Sequence, residues 1–182
     1  AAGRDTGLLA ISGVSEADVL ASVPQLECAI RIAPDNNVFG GERGALETAR
    51  QALADRASFK PLCVALASHT SWMRPAQAAF AEVVRAAGIE SPQCPVALDA
   101  TGSTSRDAAE LAAALVAQVG RCVQWRSCLA AVAERQPSCV LEIGGGHALA
   151  RMWAARFPEI PVRSLDEFRT AEGAAAWIAR HP

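Results

Sequence analysis

The chain has 182 residues, a formal net charge of -2, 51% hydrophobic residues and 20% charged residues. That length allows one domain or two small ones, and the balance is that of a soluble globular protein. The chain has no basic block, so no nucleic-acid surface is expected, and no apolar run approaches the roughly 18 residues of a membrane helix.

The first residues, Ala1-Ala2-Gly3-Arg4-Asp5, carry no initiator Met and none of the basic and apolar segments of a signal peptide. They read as a start inside something larger. Gly7 to Ser12 is a short apolar run, predicted as a strand. Ser15-Glu16-Ala17-Asp18 has the pattern of an N-cap with acidic residues in the first turn, opening a short helix with Val19, Leu20 and Val23 on its apolar face. Cys28 to Ala33 is predicted as a second strand, stopped by the turn residues Pro34-Asp35-Asn36-Asn37. Val38 to Gly41 is a third strand, Glu42 to Arg56 an amphipathic helix, and Phe59 to Leu66 a fourth strand. The order βαββαβ is that of a ferredoxin-like unit.

Beyond it, Pro75 to Ala87 is predicted as a helix ended by Gly88. Pro95 to Leu98 reads as a strand, Thr101 to Ser105 as a polar loop, and Asp107 to Val119 and Trp125 to Ala133 as helices. Ser138 to Ile143 reads as a buried strand that turns through Gly144-Gly145-Gly146 into a helix from Ala148 to Arg156. Pro161 to Leu165 is a last strand and Ala171 to Arg180 a last helix. Alternating strands and helices imply a parallel, layered α/β sheet, which normally needs more strands than this part supplies.

The six cysteines (Cys28, Cys63, Cys94, Cys122, Cys128, Cys139) form no C-x-x-C pair and read as buried thiols of a reducing, cytoplasmic compartment. A zinc site would need paired ligands at short spacing, which are absent, and no metal is expected. Trp125, Trp153 and Trp177 read as core or interface anchors, and Trp72 as a candidate pocket wall. His147, Asp166, Glu167 and Arg169 read as surface residues. The glycine turn at 144–146 lacks G-x-G-x-x-G spacing, so a dinucleotide site is not expected.

The informative residue is His69. It follows a predicted strand and precedes a predicted helix, and α/β active sites gather at the C-terminal ends of strands. A general base needs a nucleophile, yet the 182 residues contain no Gly-x-Ser-x-Gly elbow.

Three segments resemble the malonyl-CoA:acyl-carrier-protein acyltransferases. Ser68-His69-Thr70-Ser71-Trp72-Met73-Arg74-Pro75-Ala76 is similar to that family's Ser-His-x-x-x-Met-x-Pro-Ala. Gln118 to Trp125 is similar to Gln-x-x-x-x-Val-x-Trp, and Glu142 to Leu149 to Glu-x-Gly-x-Gly-x-x-Leu. The order of the motifs and the preceding βαββαβ unit also match, over roughly residues 7 to 165.

The resemblance implies a C-terminal part of an α/β-hydrolase-like acyltransferase domain, with a ferredoxin-like subdomain at 6–66 and the rest of the large subdomain at 67–182. It implies that a Ser takes the malonyl group from malonyl-CoA and passes it to the phosphopantetheine-type thiol of an acyl carrier protein. His69 matches the base of that reaction, and Gln118 the residue whose backbone carbonyl holds the His ring in place of a triad Asp. No cofactor is implied beyond the CoA substrate.

The nucleophile elbow, the Arg that binds the malonyl carboxylate and the oxyanion-hole loop all precede the small subdomain in the family. They have no counterpart here, so the chain alone is expected to be inactive. Ile32-Ala33-Pro34-Asp35-Asn36 departs from the family's Asn-Ser-Pro-Gly-Gln, and Ser68 resembles the stand-alone bacterial malonyl transferases.

Residues 151–169 resemble the acyltransferase subunit of bacterial malonate decarboxylase, which implies that enzyme's other subunits as partners. Two other readings share these residues. One is a split or degenerate acyltransferase half that docks a carrier or partner without catalysis. The other is a Ser hydrolase, which would place an Asp or Glu behind the His.

Overall fold

The computed structural model describes residues 5–181. Its backbone divides into two compact units, one up to Cys128 and one from Leu129 onward.

The first unit opens with β1 (Thr6–Ser12), α1 (Glu16–Ser22), β2 (Glu27–Ala33), β3 (Asn36–Glu42), α2 (Arg43–Ala52) and β4 (Ser58–Pro61). The strands form one sheet in the order β2-β3-β1-β4, and every neighbouring pair is antiparallel. Successive side chains of a strand point to opposite faces. Leu9 and Ile11 of β1 and Phe39 of β3 face a core completed by Val19 of α1 and by Leu46 and Ala49 of α2. Leu8, Ala29 and Val38 serve a smaller cluster that also takes in Ile30, Ile32 and Leu62. Burying one fully enclosed Leu or Ile in this way stabilises the fold by about 1.5–3 kcal/mol. Ser15 caps α1 with a full capping box: its hydroxyl accepts from the Asp18 backbone N–H, and the Asp18 carboxylate accepts from Ser15.

Several predicted boundaries shift: β3 already begins at Asn36, inside the predicted turn, because Asn36 and Asn37 pair with β1. Helix α2 ends at Ala52, where Leu53 leaves helical geometry but stays buried. Strand β4 ends at Pro61 rather than Leu66. Leu62 makes one further backbone bond to Leu8, after which Cys63 to Leu66 run exposed. An apolar run becomes a strand only where a ladder partner meets it, and none does among the described residues.

The unit continues with a 3-10 turn at Ser71–Met73, α3 (Arg74–Ala87), β5 (Val96–Leu98), β6 (Ser103–Ser105) and α4 (Ala108–Ala117), and α5 (Trp125–Ala133) follows. Pro75 sits in the first turn of α3, where its missing N–H is no loss. Asp107 caps α4 rather than beginning it, its carboxylate accepting from the Glu110 N–H. The predicted polar loop is partly strand: β6 pairs antiparallel with β5.

The second unit holds β7 (Val140–Glu142), α6 (Ala148–Arg156), β8 (Val162–Ser164) and α7 (Ala171–Ala179). Strands β7 and β8 pair in parallel. Among the described residues, the expected layered parallel sheet is present only as this two-stranded piece, and β7 is half-exposed rather than buried, with Ile143 after it 77% exposed. Trp153 and Trp177 are buried as expected, against Phe157 and Phe168 respectively. Asp166 and Glu167, read as solvated charges, have structural partners. Asp166 accepts from the Gly146 N–H, while Glu167 accepts from the Ser164 N–H and pairs with Arg163.

Candidate active site

His69 lies in the irregular segment between β4 and the 3-10 turn, eight residues past the end of β4 rather than just after it. Its backbone is left-handed, with φ of +61°. For a residue with a Cβ that conformation costs on the order of 1–3 kcal/mol, so neighbouring structure has to impose it.

The imposing contacts are visible on both sides. Thr70 is fully buried and its hydroxyl donates to the Ala67 carbonyl at 2.6 Å, closing a tight turn around His69. That turn seats on the sheet at Gly40 of β3. A Cβ at Gly40 would stand 2.9 Å from the Thr70 methyl and 3.3 Å from the Ala67 methyl, so only glycine lets the turn approach this closely. On the other side, the Glu27 carboxylate of β2 accepts from the Ser71 backbone N–H at 2.8 Å and from the Ser71 hydroxyl.

The ring of His69 is half-buried, and its Nδ1 lies 2.7 Å from the backbone carbonyl oxygen of Gln118. A carbonyl only accepts, so Nδ1 carries the proton and Nε2 holds the lone pair in the neutral ring. Gln118 is the C-cap of α4, and its carbonyl is one of those a helix end leaves without an intrahelical partner. The structure thus brings the two sequence-selected residues together across 49 positions.

The same end of α4 holds a residue that the sequence reading missed. With its amide nitrogen turned to the Asp99 carboxylate, the Gln118 side chain donates to both oxygens, at 2.8 and 2.5 Å. The Asp99 backbone carbonyl accepts from the Gln124 N–H at 2.6 Å. Asp99 follows β5 directly, and a strand-end carboxylate was the signal that could have singled it out. Gln118 and Asp99 line a cleft of about 390 Å3 whose other walls are apolar, among them Leu98, Leu111, Leu115 and Trp125. Cys128 on that wall has its thiol pushed up to about 11, first by burial and then by the Asp99 charge.

The remaining candidates lie elsewhere. Trp72 lines a separate cleft with Gln25, Glu42, Ala45 and Thr48. His147 is exposed, 3.9 Å from Glu167. In the Gly144-Gly145-Gly146 turn, Glu142 accepts from the Leu149 and Ala150 N–H groups and so occupies the first turn of α6 with a protein carboxylate. Of the cysteines, Cys28 and Cys128 are buried, Cys122 and Cys139 half-buried, and Cys63 and Cys94 exposed, so the expectation of six buried thiols holds only in part.

No protein-family model matches the chain. The chain is 28% identical over 162 residues to a malonyl CoA-acyl carrier protein transacylase of Mycobacterium tuberculosis, covering 88% of this chain and 54% of that protein. It is 30% identical over 132 residues to the Mycolicibacterium smegmatis protein of the same name, covering 71% of this chain and 46% of that one.

In sequence and fold the chain is similar to the malonyl-CoA:acyl-carrier-protein transacylases. A solved transacylase of that name from Xanthomonas oryzae matches all of this chain and 59% of its own, with a TM-score of 0.87 and 25% identity. The chain thus spans about half the length of the curated transacylases it matches. No helix among the described residues is long and apolar enough to cross a membrane.

Proposed function

We propose that this chain is the part of a cytoplasmic malonyl-CoA:acyl-carrier-protein transacylase that supplies the general base, His69. The observation that carries the reading is the 2.7 Å contact between His69 Nδ1 and the Gln118 carbonyl. It leaves Nε2 as the basic nitrogen, with no carboxylate against the ring among the described residues.

In the proposed reaction a Ser from outside these 182 residues attacks the malonyl thioester carbonyl and gives its proton to His69 Nε2. The C–S bond breaks, CoA sulfur takes that proton, and a malonyl-Ser ester remains. A phosphopantetheine thiol of the carrier protein then attacks the ester, with His69 again as base, and the Ser hydroxyl is regenerated.

We further read residues 6–66 as a ferredoxin-like small subdomain and residues 67–182 as the C-terminal part of an α/β-hydrolase-like large one. The strand order β4-β1-β3-β2 supports the first assignment. The likeness of residues 151–169 to the malonate decarboxylase acyltransferase subunit favours a carrier with a CoA-like prosthetic group. Comparing transfer to that carrier with transfer to an ordinary acyl carrier protein assigns the acceptor. The base role is tested by His69→Ala in the protein extended upstream to its start codon. Malonyl transfer is expected to fall by roughly 10²–10⁴-fold, and near-normal transfer would remove the assignment.

A further inference from the structure

We propose that Asp99 is a positioning residue for the His69 base, acting through Gln118. The inference rests on His69 being the base and adds a group that holds it in place. Gln118 is gripped at two points. Its carbonyl accepts from His69 Nδ1, and its side-chain amide donates to both oxygens of Asp99. The carbonyl that orients the ring is therefore attached to a side chain fixed by a charge-assisted pair of hydrogen bonds.

The surrounding segment is tied down in the same way. Asp99 receives Gln118 on its carboxylate and the Gln124 N–H on its backbone carbonyl, so one residue anchors both ends of the stretch 118–124. Between these anchors the Val123 N–H donates to the Ala29 carbonyl, and the Val123 carbonyl accepts from the Arg31 N–H, both at 2.9 Å. Gly120 lies under Gln77 of α3, where a Cβ would stand 2.4 Å from the Gln77 side-chain oxygen. A general base contributes fully only when held within about half an ångström of its working geometry. The carboxylate here does not touch the imidazole as a triad Asp would. It holds the amide whose backbone does.

The test uses the protein extended upstream to its start codon, with malonyl-CoA as the probe. The rate of acyl loading at saturation and the half-saturating concentration are read separately. The 15N shifts of the His69 ring report its tautomer without reference to activity. Asp99→Ala is expected to slow saturated loading about ten- to a hundredfold, the worth of a hydrogen bond to a charged group. Half-saturation should stay within about twofold, because the loss falls on the transition state. The ring should show a growing Nε2–H population as the carbonyl loosens.

Gln118→Glu sets two carboxylates against each other and is expected to match that loss. Combining it with Asp99→Asn exchanges donor and acceptor and should return loading to within about threefold of wild type, a rescue that a merely structural role would not give. Wild-type loading and tautomer in Asp99→Ala, or a double variant no better than Gln118→Glu alone, would overturn the positioning role. If Asp99→Ala does not fold, the exchange pair decides alone. Normal loading in His69→Ala would instead remove the base assignment itself, so the two failures are distinguishable.

Discussion

His69 Nδ1 and the Gln118 carbonyl oxygen stand 2.7 Å apart, and Gln118 is itself held by its side chain on Asp99. The chain Asp99–Gln118–His69 replaces a direct carboxylate–imidazole contact with a backbone carbonyl. A neutral acceptor fixes the ring without placing a second full charge in the half-buried site, where desolvating that charge would be costly.

This arrangement separates two roles of Gln118. If only the carbonyl mattered, Gln118→Ala would be nearly silent. With the Asp99 anchor it is expected to slow malonyl loading about tenfold or more while remaining well above His69→Ala. Parallel loading assays of the two variants measure the separation.

Gly40 is expected to be intolerant of any side chain. Gly40→Ala places a methyl against the buried Thr70 and Ala67 and should destabilise the fold by about 1–3 kcal/mol, as overpacking does. Because the strain falls on the turn that holds His69, malonyl loading should drop more than the change in Tm alone would explain. Thermal unfolding and loading assays on one preparation check this.

Much of this was legible in the sequence, and the gaps have physical causes. The Ser15 cap and the alternation in β1 are local patterns, so the βαββαβ order could be read directly. The apolar run Cys63 to Leu66 looks like a strand from composition alone. Whether it becomes one depends on a neighbour that composition does not contain. The polar Ser103–Ser105 shows the converse: β5 supplies a partner, and the segment pairs. His69 and Gln118 were found by likeness of motif. Asp99 was not, because its role comes from a contact 19 residues away and from which way an amide turns.

The thiols should divide by burial and charge. Cys63 and Cys94 are expected to react first with a maleimide, and Cys28 and Cys128 last. Cys122 should label faster than an ordinary half-buried thiol. The hydrogen bond from Cys28 holds its pKa down, and the Arg31 guanidinium adds to this, while the pKa of Cys28 is driven up, first by the same hydrogen bond and then by burial. In Asp99→Ala, Cys128 should become more reactive at alkaline pH, since one of the two causes raising it to about 11 is removed. Mass spectrometry of timed labelling resolves each site.

The Glu16–Arg31 pair, bidentate at 2.6 Å, should make stability depend on pH. The hydrogen bond from Arg31 is the main cause holding the Glu16 pKa below the ordinary 4.5. The folded state therefore binds this proton less readily than the unfolded chain. The contribution is complete above the ordinary value and is lost as pH falls through the lowered folded value. The Tm difference between wild type and Glu16→Gln should be constant near neutrality and shrink below about pH 4.5. A difference that grows on acidification would contradict it.

Whether His69 is the base is decided by acyl loading from radiolabelled malonyl-CoA, using the protein extended upstream to its start codon and its His69→Ala variant. The wild type is expected to take up label as a Ser ester, and the variant to do so roughly 10²–10⁴ times more slowly. Equal loading rates would show that His69 is not the base, and no label on either protein would point to a docking module that does not carry out transfer.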